Sequence, residues 1–171
     1  MIRYQYHKPK ILFVGINPHH GSYLRGVPFS NNKMFWYLLN RAGIIKENIA
    51  SLKDDAKLKE FFEKRFNPVY RLGLVNIINR PTRDTGELKK GEETRGRTRV
   101  ERIIKLEEPK VVCFVAKITY EKFSGLKKFN YGWQKDIFSS KVFVMHFPLR
   151  GEARVRIGEL RAVGKSAGVV K

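Results

Sequence analysis

The chain has 171 residues, 35 Lys plus Arg against 16 Asp plus Glu, and a formal charge of +19, which is one-domain length with enough chain to bury a core. With 42% hydrophobic and 12% aromatic residues it is no disordered basic tail, and its single cysteine, Cys113, excludes an internal disulfide, a four-thiolate zinc site and an iron–sulfur cluster. Charge of this size is tolerated where a polyanion neutralises it, so nucleic acid is the first partner to consider. The alternative is a heat-adapted Lys- and Arg-rich surface, although such surfaces usually raise Glu as well.

In chain order, residues 10–16 form the first short apolar, β-branched run and predict a strand. A loop rich in Gly, Pro and Asn follows, then helical patterns over about 31–42 and 53–64. Residues 72–78 predict a second strand, about 87–107 a long helix, and 110–115 a third strand. After a short helix over 118–123 come a fourth strand at 141–145 and a last helix over about 153–163. Near-continuous apolarity is what strands covered on both faces require. Strand alternating with helix predicts an α/β fold: a three-layer α/β/α unit with a central, mainly parallel four-stranded sheet. With no internal repeat or low-complexity linker, residues 1–171 read as one domain. No apolar run approaches the ~20 residues of a bilayer span, and the first residues lack the order of a secretion signal. The expectation is a protein of a reducing compartment, cytoplasmic and nucleoid-associated or nuclear, not secreted and with no membrane role.

Ligands of such sheets bind at the carboxyl ends of the strands, and the residues there carry chemistry. After the first strand come Gly15-Ile-Asn17-Pro18-His19-His20-Gly21-Ser22 and then Gly26-Val-Pro28-Phe29, a tightly shaped loop whose amides can face a ligand. The second strand contains Asn76 and leads into Asn79-Arg80-Pro81-Thr82. An amide inside an apolar strand is costly unless paired, so Asn76 is either a satisfied core amide or a ligand reader. The fourth strand ends in His146-Phe-Pro-Leu149-Arg150-Gly151-Glu-Ala-Arg154-Val-Arg156, a loop opening a helix in a way that suits a phosphate backbone.

Gly15-Ile-Asn-Pro18, with Gly26-Val-Pro-Phe29, Met34-Phe-Trp36 and Arg41-Ala-Gly43, resembles the first signature of the mismatch-specific uracil/thymine DNA glycosylases, members of the uracil-DNA glycosylase superfamily. Leu74-Val-Asn-Ile-Ile-Asn-Arg-Pro-Thr82 is similar to that family's second block, and the loop into Arg154-Val155 takes the place of its third. The resemblance runs over about residues 10–163 and implies a cofactor-free, monofunctional glycosylase. Such an enzyme extrudes a damaged pyrimidine from duplex DNA and hydrolyses its bond to deoxyribose. It implies that Asn17 positions the water, that Phe29 stacks on the flipped base, and that Asn76 reads its edge. Backbone N–H groups around His19 and Phe29 would stabilise the leaving anion. An amide is no true base, so the enzyme is expected to be slow. Deaminated or mismatched duplex DNA is the expected partner, and a monomer the expected form.

The chain departs from the family pattern in three places. His19 and His20 follow the proline where the family usually has Gly; a bulky ring there is expected to narrow the pocket against the methyl of thymine, with both histidines, and Ser22 on the DNA side, in contact with the substrate. In the third block His146 either donates to a base carbonyl as a catalytic residue, or lies just outside while Pro148 takes the place of the family proline. Leu149, Arg150 and Gly151 would then fill the hole left by the base, with Arg154 and Arg156 on phosphates. Finally, Arg95-Gly-Arg-Thr-Arg99 is either a duplex contact or the exposed start of a helix. Rival readings are a non-enzymatic nucleic-acid-binding module and a glycosylase for another deaminated base such as hypoxanthine.

Overall fold

The computed structural model describes residues 1–171. Its centre is a sheet of five strands in the order β2-β1-β3-β5-β4: β1 (Ile11–Gly15), β2 (Leu72–Asn76), β3 (Val111–Val115), β4 (Gly132–Ile137) and β5 (Ser140–Met145). The four apolar runs are the parallel strands. The expected four-stranded sheet gains β4, which pairs antiparallel with β5 at the edge. Its sequence, Gly-Trp-Gln-Lys-Asp-Ile, mixes half-buried and exposed residues, alternating up to Lys135 and then exposing Asp136 as well. An edge strand open to water on one side needs no continuous apolar run.

Side chains alternate across each strand, and that period divides the core into two. Ile11, Phe13, Cys113 and Phe143 face an aromatic-rich layer of Phe35, Trp36, Phe62 and Phe66, supplied by α2 (Met34–Arg41) and the turns after α4 (Asp55–Phe61), with α7 (Ala153–Ser166) closing it. Leu12, Val14, Val112 and Val144 face Val100, Ile103 and Ile104 of α5 (Thr94–Glu107), beside α6 (Lys117–Ser124). The three-layer α/β/α architecture follows from that division.

Local capping explains where helices depart from the expected bounds. Asn48 Oδ1 accepts from Ser51 N–H and Asp54 Oδ1 from Lys57 N–H, so α3 (Ile49–Lys53) and α4 start separately, each with its own N-cap. His19 Nδ1 accepts from Gly21 N–H and starts the short α1 (His20–Arg25) inside the stretch expected to be loop. Helix α5 begins at Thr94 instead of 87. There Gly96 lies flat against the end of β2: a Cβ on it would sit 1.7 Å from the Ile77 carbonyl oxygen. No helix is long and apolar enough to cross a membrane.

Candidate active site at the strand ends

The carboxyl ends of β1, β2, β3 and β5 open into one cleft of about 620 Å³. Asn17, His19, Ser22, Phe29, Asn76, Leu149 and Arg150 all line it. Asn17 sits just past β1, and its Nδ2 donates to Thr82 Oγ1 at 2.7 Å and to the Pro18 and Arg80 carbonyls at 3.3 Å. Thr82 Oγ1 in turn donates a hydrogen bond to the Asp84 carbonyl. With Nδ2 committed in this way, Asn17 Oδ1 has no protein donor and is the free acceptor of that amide. The backbone is laced at the same place: Thr82 N–H donates to the Pro18 carbonyl and His20 N–H to the Thr82 carbonyl.

Phe29 holds a left-handed backbone, φ 53°, a conformation that costs a non-glycine residue about 1–3 kcal/mol and clusters at ligand sites. Its ring stacks on Phe35 with centroids 4.5 Å apart, and Trp36 Nε1 donates to the Pro28 carbonyl behind it. The backbone N–H groups of His19 and Phe29 meet no protein acceptor. Gly15 and Asn76 are register partners on neighbouring strands, and a Cβ on Gly15 would lie 2.3 Å from Asn76 Oδ1 and 3.4 Å from Phe29 Cζ. The glycine is what lets the amide and the ring close over the same floor.

Ser22, expected on the DNA, is a buried brace: its Oγ accepts from the N–H groups of Ser30 and Asn31, which fixes the turn carrying Phe29. Arg156, expected on a phosphate, is only 5% exposed; its guanidinium donates to the Pro148 and Gly151 carbonyls and ties the 147–151 loop down from inside. Two further expectations are not met on the cleft wall. His20 is exposed on α1. His146 lies behind Tyr131, whose ring stacks on it at 3.5 Å, with Nδ1 2.5 Å from Glu159 Oε1 and its backbone N–H on Oε2. Phe147 takes the wall position instead. Gly151 turns the loop at φ 72°, and Arg154 is exposed, paired with Glu152 at 2.5 Å.

The wall carries residues that sequence reasoning missed. Ala116, at φ 76°, ends β3 against the cleft, and Lys117 follows with its Nζ 4.8 Å from the centre of the Tyr131 ring. Arg83, Lys117 and Arg150 set cations around the opening, against one carboxylate, Asp84, whose Oδ1 already accepts from Gly86 N–H. In the 95–99 segment, Arg99 turns inward onto the Asn76 and Ile77 carbonyls and Asn79 Oδ1, while Arg95 and Arg97 stay exposed.

Fold and wall together define a class: a doubly covered, mainly parallel α/β protein whose strand-end cleft offers amides, an aromatic face and free backbone donors to a flat polar ligand. The family model of the uracil DNA glycosylase superfamily matches residues 2–154, and the chain belongs to that superfamily. It is also similar to a G/U mismatch-specific uracil DNA glycosylase of Schizosaccharomyces pombe, 27% identical over 169 residues, which cover 94% of this chain and 46% of that protein. The chain thus spans about half the length of that relative.

Proposed function

We propose that this chain is a monofunctional DNA glycosylase that draws a uracil nucleotide out of duplex DNA and hydrolyses its N-glycosidic bond, in repair of deaminated bases. The observation that carries the reading is that Asn17, Phe29 and Asn76, from three separate segments, line one cleft. Binding a nucleic-acid backbone needs no such constellation.

In this mechanism Phe29 stacks on the extruded base and Asn76 meets its Watson–Crick edge. Asn17 Oδ1 accepts a hydrogen from a water and aims its oxygen at the anomeric carbon. That oxygen forms the new bond as the bond to the base nitrogen breaks, the electron pair leaves with the base, and the water's spare proton passes to solvent. Positive charge grows on the sugar and negative charge on the base, where the free N–H groups of His19 and Phe29 are placed to receive it. The wall holds no carboxylate pair, so positioning and electrostatics do most of the work. Leu149 and Arg150, exposed at the rim, fill the gap in the helix. His19, its ring held by the Gly21 N–H, restricts the pocket to uracil over thymine. The enzyme acts as a monomer wherever the genome lies, in a nucleoid or a nucleus.

The test is base release from oligonucleotides carrying uracil, thymine, hypoxanthine or xanthine, in duplex and single strands. Uracil should be released, and G:T should be processed more slowly than G:U. Asn17→Ala should slow release by about 10²–10³-fold, as expected for loss of one preorganised polar group, with duplex affinity kept within a few-fold. Equal loss of affinity and rate would make Asn17 a structural residue, and equal rates on G:T and G:U would remove the role given to His19.

A further inference from the structure

An asparagine can address a base edge in two ways, because swapping Oδ1 for Nδ2 turns an acceptor into a donor. What holds the far side of the amide decides which end the base meets. Here Asn76 Nδ2 donates to Tyr4 Oη at 2.9 Å, and Oδ1 lies over Gly15, on the floor shared with the edge of the Phe29 ring. Tyr4 is absent from the cleft wall. It belongs to the N-terminal segment, which joins the outer side of β2 where Leu74 N–H donates to the Gln5 carbonyl at 2.7 Å, and its ring packs against both core layers.

We propose that Tyr4 is a specificity-determining positioning residue: by accepting one Nδ2 hydrogen from behind, it turns Asn76 Oδ1 and the second Nδ2 hydrogen toward the substrate. This rests on the glycosylase reading above and deepens it. The pattern presented, acceptor beside donor, complements an imide edge in which a ring N–H lies next to a carbonyl. Uracil has that edge. Cytosine presents an acceptor nitrogen beside an amino group, so both of its edge groups would oppose the fixed amide.

The phenol oxygen is the acceptor in the Asn76 hydrogen bond. Burial pushes the Tyr4 hydroxyl up to about 12, against the opposing pull of the Asn76 hydrogen bond and the Arg99 charge, so the group stays a neutral phenol at physiological pH. Arg99 also pins the backbone of Asn76 and Ile77 by their carbonyls, which leaves the orientation of the side-chain amide as the remaining freedom. Nothing else in the structure takes Asn76 Nδ2. Without the hydroxyl, both amide orientations become accessible and half the reading is lost.

The experiment is a double-mutant cycle of Tyr4→Phe and Asn76→Ala, read by single-turnover uracil release, duplex affinity for an abasic-site analogue and thermal midpoint. Tyr4→Phe keeps the packed ring, so the midpoint and the abasic affinity should hold. Uracil release should fall by up to about tenfold, the size of one hydrogen bond. In the Asn76→Ala background the same change should cost nothing further, because the hydroxyl would then have no amide to orient. Additive losses, or no loss in the single variant, would overturn the assignment of Tyr4 while leaving the glycosylase reading intact. Failure of the unaltered chain to release uracil would overturn both.

Discussion

Gly15 shows how little room the cleft floor has. Its register partner is Asn76, and the added methyl of Gly15→Ala would meet Asn76 Oδ1 at 2.3 Å and the Phe29 ring tip at 3.4 Å. The methyl sits inside the substrate-facing pair, so relief must come from moving the amide or the ring. We expect a stability loss of about 1–3 kcal/mol, the usual cost of overpacking, and a loss of base release larger than that destabilisation accounts for. Calorimetry and single-turnover kinetics on the same preparation check it; a variant with normal release would show that the floor relaxes without cost. The residues at this scale were unequally legible. Asn17 and Phe29 stand in a loop whose Gly and Pro content marks a shaped turn, and Asn76 interrupts an apolar strand, but composition left each with two readings, and the resemblance to the family's motifs is what implied their roles. Tyr4 lies 72 positions from Asn76 in the chain, and no local pattern ties a tyrosine near the start to a distant strand end. Arg156 misled because a basic residue on a helix opening reads as surface, whereas its neighbours on α7 turn that position inward, onto the carbonyls of the loop it holds.

Among elements, α5 and α7 offer a paired test of close packing. Gly96 presses against the Ile77 carbonyl, 1.7 Å from where a Cβ would be, whereas a Cβ on Gly158 in α7 would meet nothing within 4 Å. Alanine should therefore act with opposite sign at the two sites. Gly158→Ala should stabilise by about 0.5–1 kcal/mol, since alanine loses less freedom in a helix. Gly96→Ala should destabilise by several times that amount, because backbone has to move, and should disturb Asn76 through the strand end that α5 supports. Denaturant midpoints of the two variants decide the matter, and equal shifts would contradict the packing described. The parallel strands were legible because they are buried on both faces and read as unbroken apolar runs. β4 was not: it mixes half-buried and exposed residues, carries Lys135 and Asp136, and shifts register between Gln134 and Ile137, so its pairing comes from β5 and not from its own composition. The short helices α1 and α3 were hidden for a related reason, since each is specified by one capping side chain, His19 or Asn48, more than by periodicity.

For the whole molecule, the +19 charge is a statement about partners and about salt. Arg83, Lys117 and Arg150 ring the cleft, and Arg154 lies just beyond on α7. If Arg83, Lys117 and Arg154 meet phosphates while Arg150 fills the gap in the helix, the logarithm of duplex affinity should fall against the logarithm of salt with a slope of about −2.7, or about fortyfold between 50 and 200 mM. Titrations at several salt concentrations measure it, and a flat response would remove DNA as the partner. The size of that net charge also explains why the sequence pointed to a polyanion well before it pointed to a place: net charge has no address, and only the convergence of strand ends supplies one. The most direct measurement is the structure of this chain crystallised with duplex DNA carrying a non-hydrolysable 2′-fluoro-deoxyuridine opposite guanine. The account predicts the uracil ring outside the helix, lying on Phe29 with its ring N–H on Asn76 Oδ1 and a water between Asn17 Oδ1 and the anomeric carbon. A uracil still stacked in the duplex, or seated away from Phe29 and Asn76, would contradict it.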